Sequence, residues 1–456
     1  MKVMKLSNYI LLLIVLLFVG CSEDYLDKKP NKSLVIPSTL EDLQALLDNS
    51  TSIMNVVPAL GVISSDDLFT TDAGWQAYGL ATERNSYTWS ADIYSGETTC
   101  GDWNFPYQQV FYANVVLEGL NSIDTTLSNV AQWKAIKGSA LFYRAHAFYQ
   151  LAQLFAPAYD HTNASITTSI PLRLTADVNA PVVRSKQSET YNQIIKDLEE
   201  AEPLLPLKSA YKTRPTQNAS VALLSRVYLT IEDYEEAEYY ADLSIKQSGY
   251  LLNYNNLTAS ATRPIPAMND EVLFYGATIN YSFISSTLTY VDTTLYSTYS
   301  TDDLRKTVFF RLRSANRYTF KAHYTGTSLM FGGIANDEIY LNRAESRLRN
   351  GNTNGALEDL NALLSTRWKT GKYIPVVETD PEILLNIILT ERRKELLFRG
   401  NRWTDLRRLN KDRRFTQTLS RKLNGTIFTL PPNDLKYVYP IPFQEISASG
   451  IEQNPR

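Results

Sequence analysis

Two glutamates near the C-terminus are the residues best placed to do chemistry. Glu391 and Glu395 lie four residues apart in Leu384–Asn410, a run with helical periodicity, so both carboxylates share one face with leucines. Two carboxyl groups about 5–9 Å apart could serve as the acid and base of a glycosidase. Buried carboxylates are usually paired with cations, and structural ion pairs far outnumber catalytic ones. We therefore interpret both glutamates as members of a buried ion network, with catalysis as the alternative.

Charged residues for such a network are abundant in the same run. The cationic candidates are Arg392, Arg393, Arg399, Arg402, Arg407 and Arg408, and Asp405 is a further acid. Gly400 fits a helix end, and Trp403 is expected to pack the corner that follows.

Other catalytic signatures are absent from the sequence. It contains no nucleophile elbow, zinc-protease motif, phosphate loop or CxxC pair, and His146, His161 and His323 lie at no metal-ligand spacing. Cys100 has no histidine nearby in sequence and is interpreted as a small apolar filler. The sequence thus predicts a protein that is not an enzyme and needs no cofactor, and it leaves a structural calcium ion open.

Composition narrows the class of protein further. The chain has 456 residues and a net charge of −3, so it lacks the basic footprint of a nucleic-acid-binding protein. It contains 29 Tyr and 6 Trp. These side chains combine a large apolar face with a polar group, which suits recognition surfaces.

The N-terminus is typical of an export signal. Lys2 and Lys5 precede the apolar run Ile10–Val19, which is too short to span a membrane as a helix. Residues 17–21, LFVGC, resemble a bacterial lipobox, although Phe18 stands where leucine is usual. We expect residues 1–20 to be a lipoprotein signal peptide and Cys21 to carry the lipid, because Cys21 would otherwise be an unpaired exported thiol. The following Ser22-Glu23-Asp24 resembles a tag for display on the outer face of the outer membrane.

Helical pairs are predicted along much of the chain. Ala219–Leu229 with Tyr234–Gln247, and Asp337–Arg349 with Gly355–Trp368, have the spacing of tetratricopeptide-like pairs. The predicted fold is mostly α, with such pairs forming a scaffold that carries long loop-rich insertions and a few short strands.

The C-terminal motifs resemble those of a known family. The segment 391–410 reads ERRKELLFRGNRWTDLRRLN and resembles the SusD/RagB signature, although Arg399 stands where an acid is usual. The closing segment, YPIPFQEI from residue 439 followed by Asn454-Pro455, also resembles that family. The resemblance implies a SusD-like helical part over residues 21–250 and a SusD/RagB part over residues 251–456.

The family resemblance also implies a function. Its members are outer-membrane lipoproteins that bind nutrients, mostly glycans, beside a SusC-like TonB-dependent transporter. We therefore expect this chain to be lipid-anchored in the outer membrane, facing the exterior, and to bind an oligosaccharide and pass it to such a transporter. Peptide binding, as in RagB-like members, is the main alternative, and a glycan-hydrolysing enzyme is a weaker one.

Two irregular blocks are the expected place of the binding site. Ser64–Asp102 and Leu251–Gly333 lack sustained periodicity but are rich in aromatic residues, and loops on a rigid scaffold commonly carry recognition. We predict that the two blocks meet at one face and form a shallow aromatic site. The predicted floor is Trp75 and Tyr78, facing Tyr281, Tyr290, Tyr296 and Tyr324, with Arg84 and Asp67 at the rim.

Overall fold

Helices dominate the structure. The computed structural model describes residues 37–456, and about 48% of these residues are helical. The helices are α1 (Leu40–Leu47), α2 (Leu60–Ser64), α3 (Asp72–Ala77), α4 (Ala81–Tyr87), α5 (Gly101–Leu120), α6 (Val130–Phe155), α7 (Gln187–Ala201), α8 (Gln217–Thr230), α9 (Tyr234–Gln247), α10 (Ser282–Ser285), α11 (Thr293–Ser297), α12 (Arg305–Val308), α13 (Asn336–Arg349), α14 (Thr353–Ser365), α15 (Pro381–Glu395), α16 (Asn401–Leu409) and α17 (Phe443–Ser449).

The strands are short and form two-stranded ribbons. They are β1 (Val56–Val57), β2 (Leu68–Thr70), β3 (Thr168–Pro171), β4 (Arg184–Lys186), β5 (Val272–Phe274), β6 (Ala277–Thr278), β7 (Thr289–Val291), β8 (Phe310–Ser314), β9 (Arg317–Phe320), β10 (Ile334–Ala335), β11 (Leu419–Leu423) and β12 (Thr426–Leu430). β1 pairs with β6 in parallel, whereas β2–β7, β3–β4, β5–β10, β8–β9 and β11–β12 are antiparallel. This architecture confirms the predicted mostly-α fold with few strands.

The pair α8–α9 forms because small residues face each other between two capped helices. Ala222, Ala237 and Ala241 are fully buried, which lets the two backbones approach closely. The side chains of Thr216 and Asp233 accept backbone amides at the two helix starts.

The second pair, α13–α14, packs against the first. Arg226 on α8 forms a buried ion pair of 2.6 Å with Glu338 on α13. The predicted parts 21–250 and 251–456 are therefore in contact through these helices, and Thr39–Arg456 forms one compact unit. Within residues 37–456, no helix is both long enough and apolar enough to cross a bilayer.

The C-terminal signature forms two helices with a sharp turn between them. Asp380 caps α15, Pro381 occupies its first position, and the turn before α16 contains Gly400. Gly400 has a φ of 86°, a left-handed conformation that glycine adopts without strain. Trp403 is buried at this corner with its ring 4.9 Å from that of Tyr437, which confirms the predicted packing role.

Glu395 lies at the centre of a buried ion network. Its carboxylate accepts bonds of 3.0 Å from Arg305 and 2.7 Å from Arg367, and all three side chains are fully buried. Arg305 also binds Glu391 at 2.5 Å and Asp303 at 2.8 Å. Both glutamates are thus occupied by guanidinium groups, which confirms the predicted ion network.

The network continues through a tyrosine to the turn before α16. Arg367 binds Glu271 at 2.7 Å, and the hydroxyl of Tyr324 donates to Glu271 at 2.6 Å and to Asp337 at 3.1 Å. Arg399 forms two bonds with Asp337, of 2.6 and 2.8 Å. Burial raises the pKa of Asp337, but Arg399 outweighs that effect and holds the pKa below its usual range.

The prediction of which arginines pair with Glu395 was wrong. We expected arginines of its own run, but Arg305 and Arg367 come from other elements. The arginines of the run reach other carboxylates instead, because they leave the helix on other faces. Arg392 binds Asp405, while Arg408 binds Asp405 and Glu345.

Residues 87–89 alternate in polarity like a short strand but do not form one. Tyr87 ends α4, and Trp89 has a left-handed φ of 50°. This conformation places the Trp89 ring in the core, where its Nε1–H donates to the carbonyl of Ser64 at 3.0 Å. Tertiary packing here overrides the local pattern.

Replacing Glu395 should destabilise the fold. Glu395→Ala leaves two buried guanidinium groups short of a partner, which costs roughly 3–5 kcal/mol of unfolding free energy. Urea unfolding followed by circular dichroism measures this cost. The matched control is Glu382→Ala at the start of the same helix, where the glutamate side chain is 71% exposed and a change below about 1 kcal/mol is expected. Equal unfolding midpoints for the two variants would contradict the network's role.

Candidate functional site

The two loop blocks meet, as predicted. β2 from the first block pairs with β7 from the second, so that Phe69 lies opposite Tyr290. Glu83, buried in the first block, accepts the amide of Phe283 at 2.7 Å. These long-range bonds join segments about 200 residues apart and give both blocks a fixed position on the helical scaffold.

A cleft lies beside this junction, between β2 and the hairpin β11–β12. We call it the β2–β11 cleft. Its volume is about 410 Å³ and it is open to solvent. Its lining residues are Asp66, Leu68, Phe69, Thr70, Tyr87, Trp89, Asp292, Arg393, Gln417, Thr418, Leu419, Ser420, Arg421 and Lys422.

Arg421 attaches the hairpin to the first loop block. Its guanidinium donates to the carbonyls of Ile63, Ser65 and Tyr87, and lies 3.8 Å from the ring centre of Tyr87 and 4.4 Å from that of Trp89. Burial lowers the pKa of Arg421 to about 10, so the side chain stays charged at neutral pH. The cleft is thus closed on one side by a cation held between aromatic rings and carbonyls.

The hairpin has the alternation of a half-buried ribbon. Leu419, Arg421 and Leu423 point inward, whereas Ser420 and Lys422 are exposed and belong to the cleft lining. The turn is Asn424-Gly425, with φ values of 48° and 79°, as a two-residue hairpin turn requires.

One end of the cleft is formed by Asp66, an acid that is paired with arginines. Asp66 binds Arg402 at 2.7 and 2.8 Å and also accepts the side-chain amide of Gln417 at 3.0 Å. Burial raises the pKa of Asp66, but Arg402 and Arg393 outweigh it and hold the pKa below its usual range. Both arginines belong to the signature helices, so the C-terminal motif positions this wall. A second groove of about 400 Å³ continues from here and shares Arg393 and Gln417.

Four predicted site residues are part of the interior, and their assignment to an exposed floor or rim was wrong. Tyr78 stacks on Phe283 at 4.3 Å, and its hydroxyl bonds to Thr289. The hydroxyl of Tyr281 donates to buried Asp102 at 2.6 Å. Tyr324 is part of the buried ion network through its bond to Glu271, and Asp67 is buried against Arg393 at 3.0 Å. In each case a buried partner from a distant segment draws the polar group inward.

Asp67 still has an unusual environment. Burial raises its pKa to about 6, against the opposing effect of Arg393. Its backbone carbonyl accepts the amide of Asp292 at 2.9 Å, so the residue helps to hold β2 beside β7.

Tyr290 is also buried, with the same 7% exposure as Tyr281, so its assignment to an exposed floor was wrong too, whereas Tyr296 lies nearer the surface. The ring of Tyr290 contacts that of Phe69 at 5.4 Å and is covered by the exposed Arg317, also at 5.4 Å. Tyr296 is half-buried and stacks on Tyr318 with ring centres 3.7 Å apart. A ligand-binding role for these two tyrosines stays a prediction.

Trp75 and Arg84 lie together in the first block but outside the cleft lining. The indole Nε1–H of Trp75 donates to the carbonyl of Arg84 at 3.1 Å, and the Arg84 guanidinium donates to the carbonyls of Tyr78 and Gly79. Both side chains are half-buried. Their role in binding stays a prediction, and Cys21, the predicted lipidation site, lies outside the described residues.

Sequence reasoning missed the residues of the hairpin wall. Ser420, Arg421 and Lys422 line the cleft, yet they lie outside both predicted loop blocks. A signal was available, because Asn-Gly between two alternating segments is the strongest short-range indication of a hairpin. Phe69 was missed because a half-buried phenylalanine in a three-residue strand has no distinctive pattern.

Cys100 and His146 are buried and lie outside the cleft lining. Burial raises the pKa of the Cys100 thiol to about 12, and burial lowers the pKa of His146 to about 3. Cys100 is therefore a neutral thiol and His146 a neutral imidazole at physiological pH. In the same range, no group of three or more His, Cys, Asp or Glu side chains is arranged to hold a metal ion.

Comparison with known families gives two matches. Residues 24–229 match a SusD-like family described as starch-binding and associating with the outer membrane, and residues 337–456 match the SusD family. SusD-like protein P2 from Formosa agariphila is 23% identical over 540 residues, and the match covers 100% of both chains.

Solved structures have the same fold. A SusD superfamily protein from Bacteroides thetaiotaomicron aligns with a TM-score of 0.74 at 22% identity, covering 92% of this chain and 100% of that one. A SusD-like carbohydrate binding protein from Bacteroides vulgatus aligns with a TM-score of 0.68 at 20% identity, covering 91% and 97%. Surface glycan-binding protein A from Bacteroides fluxus has a TM-score of 0.69 at 19% identity, covering 92% and 100%.

Arg421 should be required for the cleft to keep its shape. Arg421→Met leaves the carbonyls of Ile63, Ser65 and Tyr87 without their cationic donor, and we expect a loss of about 2–3 kcal/mol in unfolding free energy. Hydrogen exchange should also accelerate in residues 63–70. Lys422→Met, one residue away and exposed, is the control and should change neither quantity. Unchanged exchange in Arg421→Met would show that the hairpin is held by other contacts.

Proposed function

The chain belongs to the SusD/RagB family, and from this membership and the β2–β11 cleft we propose that it is a cell-surface receptor for an oligosaccharide. It binds the glycan in the cleft and passes it to a SusC-like TonB-dependent transporter in the outer membrane. The protein is anchored there by lipid on Cys21.

The observation that carries this proposal is the chemistry of the cleft walls. Phe69 is half-buried and presents apolar surface, while Thr70, Gln417 and Ser420 contribute hydroxyl and amide groups nearby. A pyranose has an apolar face and a polar rim, so it needs this combination of contacts. The volume of about 410 Å³ is in the range of small-molecule sites.

The comparisons support a carbohydrate ligand. One matched family is described as starch-binding, and two of the structural neighbours are named as carbohydrate- or glycan-binding proteins. The ion network supports binding without hydrolysis, because Glu391 and Glu395 are held by Arg305 and are not free to act as an acid–base pair.

Calorimetric titration of the full chain with oligosaccharides tests the site. Phe69→Ala should weaken binding about tenfold, which corresponds to about 1.4 kcal/mol, because a stacked sugar loses its apolar partner. Trp75→Ala tests the predicted aromatic floor in the same titration. Phe443→Ala removes a phenylalanine that is 75% exposed and outside the cleft, and it is the control.

Three results would contradict the proposal. Equal affinities for Phe69→Ala and Phe443→Ala would place the ligand elsewhere on the protein. Binding of peptides with no binding of any oligosaccharide would support the peptide receptor instead. Turnover of a bound glycan that is lost in Glu395→Gln, with stability retained, would show that the protein is an enzyme.

Lipid anchoring is tested by Cys21→Ala. This variant should fold but should no longer sediment with outer membranes, because it lacks the thiol to which the lipid is attached. Stable anchoring depends on the acyl chains carried there. Membrane fractionation with an antibody against the chain measures the distribution, and Cys100→Ala controls for the loss of a thiol. Equal membrane recovery of Cys21→Ala and the unaltered protein would contradict lipidation at this residue.

A further inference from the structure

The β2–β11 cleft carries cations that have no carboxylate partner. Arg317 covers the ring of Tyr290, which in turn contacts Phe69 in the cleft lining. Each of these contacts is 5.4 Å between centres, so the Arg317 guanidinium lies at the edge of the cleft. On the opposite wall, Lys422 is exposed within the lining itself.

Some arginines of the fold are neutralised by carboxylates, and the cations at the cleft edge are not. Arg392, Arg399 and Arg408 each bind a carboxylate within 2.8 Å. Across residues 37–456, neither Arg317 nor Lys422 forms an ion pair, so both can offer their charge to a ligand.

The cleft lining contains two acids. Asp66 is already shared between Arg393 and Arg402. Asp292 accepts the amide of Leu295 at 2.8 Å and caps α11, and it keeps its negative charge because this donor is neutral. Outside the lining, Asp72 accepts the amide of Asn424 at 2.9 Å at the hairpin turn.

We infer that the ligand of the β2–β11 cleft is an anionic polysaccharide, recognised by its carboxylate or sulfate groups between Lys422 and Arg317. This inference rests on the proposed glycan-binding function and specifies its substrate class. Arginine presents paired donors that match the geometry of both oxyanions, and an exposed lysine adds a point charge. A neutral glycan would use the walls of the cleft but would leave this cationic surface unused.

Calorimetry with four defined probes tests the inference. Maltohexaose and xylohexaose are neutral, oligogalacturonate carries carboxylates, and carrageenan oligosaccharides carry sulfates. We expect the full chain to bind at least one anionic probe at least tenfold more tightly than either neutral one. We also expect that affinity to fall between 50 and 300 mM salt, because exposed ion pairs are screened.

Charge-removing variants test whether the recognition is local. Arg317→Gln combined with Lys422→Gln should weaken binding of the anionic probe at least tenfold. Lys246→Gln alters a lysine whose side chain is 71% exposed on α9, and it should leave binding unchanged. Circular dichroism should show the same fold in all variants, since none of the altered residues is buried.

The outcomes separate this inference from the proposed function. Binding of neutral probes alone would overturn the anionic specificity and leave glycan binding intact. Failure to bind any of a broad set of glycans would overturn both. Anionic binding that is equal in the double variant and in Lys246→Gln would overturn the assignment to this cleft.

Discussion

Burial of charge is the constraint on which the structure depends. Glu395 lies between the fully buried guanidinium groups of Arg305 and Arg367. Burying the carboxylate without these cations, or the cations without the carboxylate, would be strongly unfavourable. Arg305 belongs to the second loop block, Arg367 follows α14, and Glu395 ends α15. The network therefore fixes three elements at one point in the core. A shift of any one of them would leave a buried ion unpaired, so the loop blocks have one position relative to the helices.

The same helices that bury Glu395 also build the cleft. Arg393 and Arg402 leave the signature segment on another face and hold Asp66 at one end of β2. Arg421 holds the opposing hairpin through backbone carbonyls. The walls are thus fixed by buried or half-buried arginines, while the exposed cations at the edge are free to contact a ligand. This division separates the residues that shape the site from those that would select what it binds.

Sequence predicted the scaffold better than the site, for a physical reason. Helical periodicity and capping are local, so the pair at residues 219–247 was located within a few residues of its ends. Whether a tyrosine is buried or exposed depends on hydrogen-bond partners that lie far away in the sequence. Tyr281 is buried because its hydroxyl reaches Asp102, 179 residues away, and Tyr324 because it joins Glu271 to Asp337. Neither partner leaves a signal near the tyrosine, whereas the Asn424-Gly425 turn did signal the hairpin that was overlooked.

Hydrogen exchange with and without a bound oligosaccharide tests the central claim most directly, because it maps the contact surface without altering a residue. The account predicts slower exchange in Leu68–Thr70 and Leu419–Leu423, the two walls of the cleft, with no change in the helices α8 and α9, which do not line it. Protection confined to α8 and α9, or to the neighbourhood of Trp75 without the hairpin, would contradict the assignment of the β2–β11 cleft as the binding site.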